Sequence, residues 1–471
     1  MRTHLRLSRV CAAAVLAGLG TALAACNTDS ILRVKDPDII DPGNTNSAAG
    51  ADALRVGTYA TFTQAMDGNG DSNTGDGMIM ITGLLADEFR VSDTFDERIQ
   101  MDTRNIQEQN ATSAAQYRRL QRANVSARIA RMKLTQFKPA DSASTAEMHT
   151  VAGYTEVMAA EAFCSGVPFS TVKPDGSVEP GPSLSRQQTL DLAVAHFDSA
   201  LAISNRATVT SLASIGKARA ILDSADATSI TAASAAAAAA VAAVPSNYLY
   251  ATTHDVAKDT LILGVYTQNP DVKRYSVADS ATSGGGNQIN WRNDPRAPID
   301  APAGARGFDS QTPLWKLHRY PLTQGTADTL YRNTSVPLAS GVEAQLIRAE
   351  AALNADHSGA TWLPLINDLR LNPGKYGANM SAMSALTIPA GATFQDIVRL
   401  HFRERAMWLF ATAHRLGDMR RMIRQYGFAA DKVFPVGQHF KGGDYGTDVN
   451  FPVPQSERNN PLFKGCIDRN P

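Results

Sequence analysis

Apolar residues recur at helical spacing along most of the chain. Met148, Val151, Ala152, Thr155, Met158, Ala159 and Ala162 follow the i, i+3, i+4, i+7 rule, and so do Leu190, Ala193, Val194, Phe197 and Leu201. Val342, Leu346, Ala349 and Leu353 form a third stripe, and Trp362, Leu365, Ile366 and Leu369 a fourth. Phe394, Ile397, Val398, Phe402, Trp408 and Leu409 predict one long helix running to about Tyr426, with Thr393 as its N-cap. Residues 187–244 hold three helical segments in close succession. The third is nearly pure alanine from Ala235 to Ala243, a composition that favours helix and close approach, and Pro245 ends it.

The periodicity stops between about 246 and 340. Here stand Ser283-Gly284-Gly285-Gly286, several prolines and short extended pieces such as Thr260-Leu261-Ile262-Leu263. So long an irregular stretch between regular helices marks a functional region. Asp67 to Gly77 and the last 45 residues are irregular too. The expected fold is therefore mainly α. Helix pairs with small residues at their contacts, at about 115–245 and 340–426, resemble tetratricopeptide repeats, with the ligand-facing loops at about 246–340.

The N-terminus reads as an address. Arg2, Arg6 and Arg9 precede an uncharged stretch from Val10 to Ala25, shorter than the roughly 20 apolar residues of a membrane span. The stretch ends Leu23-Ala24-Ala25-Cys26, which resembles a bacterial lipobox. That resemblance implies a signal peptide over 1–25, lipidation of Cys26, and a tether over 26–46 leading to a body over 47–471. Asn27 does not resemble the inner-membrane retention signal of such lipoproteins, so the implied destination is the outer membrane, at the cell surface.

Charge and cysteine content change with this assignment. The whole chain has 45 Lys plus Arg, 45 Asp plus Glu and no net charge. Losing the signal removes three Arg and no acids, leaving 42 basic against 45 acidic residues, a net of −3. Nucleic acid is a poor partner for such a surface. Cys11 leaves with the signal and Cys26 takes lipid. Cys164 and Cys466 remain, an even pair in an oxidising compartment, and are expected to form a disulfide. Closing so long a loop contributes at most about 5 kcal/mol.

The sequence has no Gly-x-x-x-x-Gly-Lys-Ser/Thr, His-Glu-x-x-His, Gly-x-Ser-x-Gly or Cys-x-x-Cys, so binding without chemistry and without a cofactor is expected. Asp67, Asn69 and Asp71 match positions 1, 3 and 5 of a calcium loop. Ser72 and Met78 fail at positions 6 and 12, which leaves a weak candidate.

Several pieces, taken together and in order, resemble the RagB/SusD family of outer-membrane nutrient-binding lipoproteins. After the lipobox comes Val34-Lys35-Asp36-Pro37-Asp38, then the acidic pair Asp87-Glu88 and the triplet Arg122-Ala123-Asn124. Phe163-Cys164-Ser165-Gly166-Val167-Pro168 is similar to the family's Phe-Gly-x-Val-Pro turn, and Leu346-Ile347-Arg348-Ala349-Glu350-Ala351 to its Leu-Ile-Arg-Ala-Glu-Ala helix. Asn367-Asp368-Leu369-Arg370, the run Arg403-Glu404-Arg405 with His414-Arg415, and the terminal Pro452-Val453-Pro454-Gln455-Ser456-Glu457 complete the set. Two departures stand out. Thr412-Ala413 replaces the family's common Glu-Gly before His-Arg, and the Cys164 and Cys466 pair is an addition.

The resemblance implies a SusD-like body that captures a glycan or oligosaccharide. It implies delivery to a TonB-dependent outer-membrane transporter, with the protein acting as the transporter's lid. Peptide capture, a tetratricopeptide-like interaction scaffold and, remotely, a hydrolase are the alternatives. Glu350, Glu404, Arg405, Arg415 and Asp418 read as partly buried ion pairs between helices. Stacking on sugar rings needs aromatic faces with polar groups at the rim. Trp291, followed by Arg292 and Asn293, with Tyr275, Tyr248 and Tyr250 in the same irregular half, makes that combination. Asp87 and Arg90 complete the rim if the family geometry holds. The competing reading has Trp291 packed under its own loop. Trp315, Trp362 and Trp408 lie in better-patterned segments and are expected in the core.

Overall fold

Small residues let the helices pack closely, and the architecture follows from that. A computed structural model describes residues 45–173, 177–278, 289–322 and 329–471. The signal stretch, Cys26, most of the tether and the Ser283–Gly286 loop lie outside these residues. The chain from Ala48 to Pro471 forms one unit. Among the described residues, no helix is long and apolar enough to cross a membrane.

The helices run α1 (Ala48–Asp67), α2 (Met78–Leu85), α3 (Asp96–Asp102), α4 (Ala111–Phe137), α5 (Ser142–Ala162), α6 (Arg186–Ile203), α7 (Ala207–Ser224) and α8 (Ile230–Ala240), followed by α9 (Gly341–Ala355), α10 (Trp362–Leu371), α11 (Phe394–Trp408) and α12 (Arg415–Tyr426). Each of α4 to α8 packs on the next, α1 lies along α4, and α9 packs on α8 and then α10. Phe197 of α6 shows how close the approach is. Its ring sits where a Cβ at Gly216 would come within 2.4 Å, or one at Gly153 within 2.8 Å. The alanine-rich α8 ends at Ala240 and buries Ser234 and Ala237, so its small side chains set its contact with α7 and α9.

Local polar signals start several helices. Asn110, Asp141 and Ser340 accept the N3 backbone N–H of α4, α5 and α9, and Ser185 and Thr393 make reciprocal capping boxes on α6 and α11.

The long helix expected from 394 to about 426 is two helices. The chain breaks after Trp408, with Ala411 at φ 56° and Ala413 at φ 61°. Three distant groups hold this turn. The Ala411 N–H donates to Glu88 Oε1 (3.1 Å), the Ala411 carbonyl accepts the Tyr320 hydroxyl (3.0 Å), and the Ala413 carbonyl accepts Arg219 Nη2 (3.0 Å). Apolar periodicity carries straight through such a break because both helices bury their faces in the same core. Thr412 and Ala413 therefore belong to a turn, not to a continuous helix.

The core of the stack is salted with charge. Arg405 Nε donates to both oxygens of Asp418 (3.0 and 2.9 Å), and Arg421 bonds Glu350, which also accepts the Tyr426 hydroxyl (2.7 Å). Glu404 takes Arg370 (2.8 Å) and Arg296, and Glu161 takes Arg219 Nη2 (2.5 Å). Arg415 is buried beside Asp418 and Glu88. Burial alone pushes a carboxyl up, yet Arg421 and His401 hold Glu350 far below its ordinary range.

The irregular half is organised by short antiparallel pairs. β1 (Phe89–Val91) pairs with β7 (Tyr275–Val277), and β6 (Leu249–Thr252) with β10 (Val336–Ser340). Three smaller pairs join β2 (Val167–Pro168) with β5 (Ser183–Leu184), β3 (Thr171–Val172) with β4 (Val178–Glu179), and β8 (Ile299–Asp300) with β9 (Lys316–Leu317). Thr260-Leu261 is not extended, since Asp259–Leu261 forms a 3₁₀ turn. Cys164 and Cys466 form a disulfide with Cα atoms 5.7 Å apart. Beside it the Cys164 N–H donates to the Phe451 carbonyl (2.8 Å) and the Phe451 N–H to the Ala162 carbonyl (2.8 Å), so the tail is laced to the end of α5.

Candidate functional site

Strand alternation at β1 and β7 sorts the side chains onto two sides. Phe89, Val91, Tyr275 and Val277 are fully buried and point to the core, which leaves Arg90 and Ser276, partners in the register, on the opposite side. These two build a platform. Ser276 Oγ donates to the Pro313 carbonyl (2.9 Å) and accepts the Trp315 N–H (2.9 Å), while Arg90 Nη2 reaches the same carbonyl (3.3 Å). Trp315 is thereby held over β1 with two cations against its ring. The Arg90 and Arg292 guanidinium carbons each lie 4.1 Å from its centroid. Such contacts contribute on the order of 0.5–2 kcal/mol each, depending on desolvation.

The platform continues into a row of exposed rings. Phe440, 43% exposed, lies 5.5 Å from the Arg90 guanidinium. Arg274 sits between Phe95 (4.5 Å) and Phe308 (4.1 Å), which are 37% and 48% exposed. Lys441 ties the segments together through the Asp93 carbonyl (2.9 Å) and the Asp309 carboxylate. Burial would raise Asp309, but Lys441 and the Thr312 hydroxyl and amide outweigh it and bring the carboxyl down to about 2.

The cations are oriented from behind. Arg274 donates to Asp93 Oδ1 (2.9 Å) and Asn73 Oδ1 (2.9 Å). Asp93 also takes Arg98 Nη1 (2.6 Å), and Arg98 grips Asp76 with Nε (3.0 Å) and Nη2 (2.8 Å). Both carboxylates and Arg98 are fully buried. The face therefore has fixed rings and fixed charges, a geometry suited to stacking on flat or ring-shaped groups while bonding polar ones at the rim.

Of the residues singled out in the sequence, Arg90 and Arg292 belong to this face. Trp291 does not. It is 1% exposed, its ring packs on Phe410 at 4.6 Å, and its Nε1–H donates to the Asp87 carbonyl (3.0 Å). It is an interior residue, contrary to the ligand-facing expectation. The turn Trp291–Asn293 thus works as an anchor that presents Arg292. Tyr275 is also buried, its hydroxyl bonded to Asp76, and burial with that carboxylate pushes its pKa well up. Tyr248 gives its hydroxyl to the Thr208 carbonyl (2.7 Å) and lies on the helix-stack side with Tyr250. Asp87 contributes a left-handed turn, φ 57°, that leads into β1.

Trp315 departs from expectation in the other direction. It is only partly buried, whereas Trp362 and Trp408 are core residues. Phe95, Phe308, Phe440 and Arg274 were not picked out. Each is a single aromatic or cation among turn-forming residues, as in Gly307-Phe308-Asp309 and Phe440-Lys441-Gly442, and a ring in such a setting has no helix or strand face to be buried in.

The calcium candidate does not assemble. Asp67 is fully buried and accepts the Thr252 hydroxyl, with His254 Nε2 3.2 Å away, while Asp71 caps the Asn73 and Thr74 N–H groups of its own turn. Among the described residues no group of three or more His, Cys, Asp or Glu is placed to hold a metal ion.

No family model matches the sequence, and no curated protein does. Solved structures do match. A SusD superfamily protein from Bacteroides vulgatus superimposes with a TM-score of 0.61 at 14% identity, covering 89% of this chain and 98% of the other. A SusD-like carbohydrate binding protein from Bacteroides fragilis gives 0.62 at 13%, covering 89% and 99%. NanU from the same species gives 0.60 at 12%, covering 92% and 99%. With coverage this complete on both sides, the helix stack and its irregular half together make up the SusD-superfamily fold.

Proposed function

We propose that this chain is a surface lipoprotein of the outer membrane that captures an oligosaccharide on the face around Trp315, without chemistry, and passes it to a TonB-dependent transporter for which it serves as lid. The observation that carries the reading is the row of rings Phe95, Phe308, Trp315 and Phe440, interleaved with Arg90, Arg274 and Arg292. Exposed aromatics cost free energy in water, and their grouping on one face beside fixed cations suits a ligand with apolar ring faces and polar edges. The SusD-superfamily fold, a relative described as carbohydrate binding and the lipobox at Leu23–Cys26 all support the same reading.

Isothermal titration with a panel of neutral and acidic oligosaccharides, and of peptides as the competing class, tests it. At least one oligosaccharide is expected to bind, and Trp315→Ala to weaken it by about ten-fold or more, which is 1.4 kcal/mol. Binding that survives Trp315→Ala unchanged, or binding of peptides alone, overturns the assignment.

A further inference from the structure

A second concavity shares no residue with the aromatic face and is walled by α1, the first half of α5, the start of α7 and strand β6. Its volume is about 460 Å³, within the range of small-molecule sites. The rings of Tyr59, Phe62, Tyr154 and Tyr250 line it. Tyr154 spends its hydroxyl on the Leu212 carbonyl (3.1 Å) and so offers only its ring.

In the cavity wall, Arg55 Nη1 holds one oxygen of Glu147 (3.0 Å), and Arg206 Nη1, from outside the lining, holds the other (2.6 Å). Two cations share one carboxylate, leaving a positive charge beside an aromatic chamber. Such a chamber selects a compact body with flat faces, and the residual charge selects an anionic end.

We infer that this cavity is a second ligand site, which takes a small monocarboxylic acid with a ring body. Sugar acids and aromatic acids share that chemistry, so the test uses one of each. Isothermal titration of the mature protein is run with D-glucuronate and with 3-phenylpropionate, and with glucose and 3-phenylpropanol as neutral counterparts. At least one acid is expected to bind with Kd below about 1 mM, roughly ten-fold or more tighter than its neutral counterpart. Which acid binds identifies the source.

Two variants locate the site. Val56 lines the cavity and is 60% exposed, so Val56→Trp is expected to fold with an unchanged thermal melt, while filling the entrance and abolishing acid binding. Arg206→Gln, whose side chain is 47% exposed in the parent, removes the surplus charge and is expected to weaken binding about five-fold or more. The inference falls if neither acid binds up to about 10 mM. It also falls if a neutral counterpart binds as well as its acid, or if folded Val56→Trp binds as the parent does.

Discussion

The helix stack and the aromatic face both use arginine heavily, and they use it in opposite ways. In the stack, Arg405, Arg421 and Arg219 are nearly or fully buried and spend their donors on Asp418, Glu350 and Glu161. Their partners are carboxylates inside the stack, and the pairs fix how α5, α7, α9, α11 and α12 sit. On the face, carboxylates lie behind and rings in front. Arg274 is held by Asp93 and Asn73 yet keeps its planar surfaces against Phe95 and Phe308. The same side chain is structural when its edge and its faces are both enclosed. It becomes a recognition element when the edge is anchored and the aromatic partners of its faces remain open to water.

The disulfide gives the largest expected effect, because it joins the two kinds of region. Cys164 ends the stack's α5 and Cys466 lies in the irregular tail, 302 residues apart. Replacing both with serine is expected to lower stability by up to about 5 kcal/mol in the chain-entropy account. The backbone bonds at Phe451 should keep the tail partly docked. Denaturant midpoints with and without the pair measure this. An unchanged midpoint means the lacing at Phe451 suffices and the bond is redundant.

Next in size is a direct contrast between the regions. Glu350 is fully buried and accepts from Tyr426 and Arg421, with His401 Nε2 3.4 Å away. Glu350→Ala leaves Arg421 short of its partner and is expected to cost about 3–5 kcal/mol. Phe308→Ala, on the face, loses mainly a contact with Arg274 and is expected to cost within about 1 kcal/mol. Urea unfolding of the two variants side by side decides it. Equal losses would mean that the face is as much a part of the folded core as the stack, and the contrast would collapse.

Much of the stack was legible in the sequence because helical burial repeats. Ala152, Thr155 and Ala159 announce a buried stripe by spacing alone, and Thr393 and Ser185 are capping residues of the expected kind. The charged residues at 350, 404, 405 and 418 were readable as ion pairs because each sits on such a stripe. Arg296, the partner of Glu404 from 108 residues away, was not, since a partner so distant along the chain leaves no periodic trace. The face was harder still. Trp291 in its irregular loop and Trp315 in a better-patterned segment exchange their expected places, because only the path of the chain sends the first under Asp87 and lifts the second over Arg90. A tryptophan in a loop thus names a contact without saying which side of the loop it serves.

The smallest effect tests where regular structure ends. Ala413 stands at φ 61°, a left-handed conformation that costs an L-residue with a Cβ roughly 1–2 kcal/mol. The RagB/SusD pattern commonly has glycine there, and glycine adopts this conformation without the Cβ clash. The turn persists with alanine because Glu88, Tyr320 and Arg219 each bond its backbone. Ala413→Gly relieves the strain while giving the unfolded chain more freedom, so a net gain of about 0.5–1 kcal/mol is expected. The sign discriminates between two pictures. If residues 409–414 continued the helix, as apolar spacing alone suggests, glycine would destabilise by about 0.5–1 kcal/mol instead. A guanidinium titration precise to about 0.3 kcal/mol separates the outcomes. A stabilised variant means that the joint between α11 and α12 is a strained turn held from the side of Glu88, the residue that immediately precedes β1 of the aromatic face.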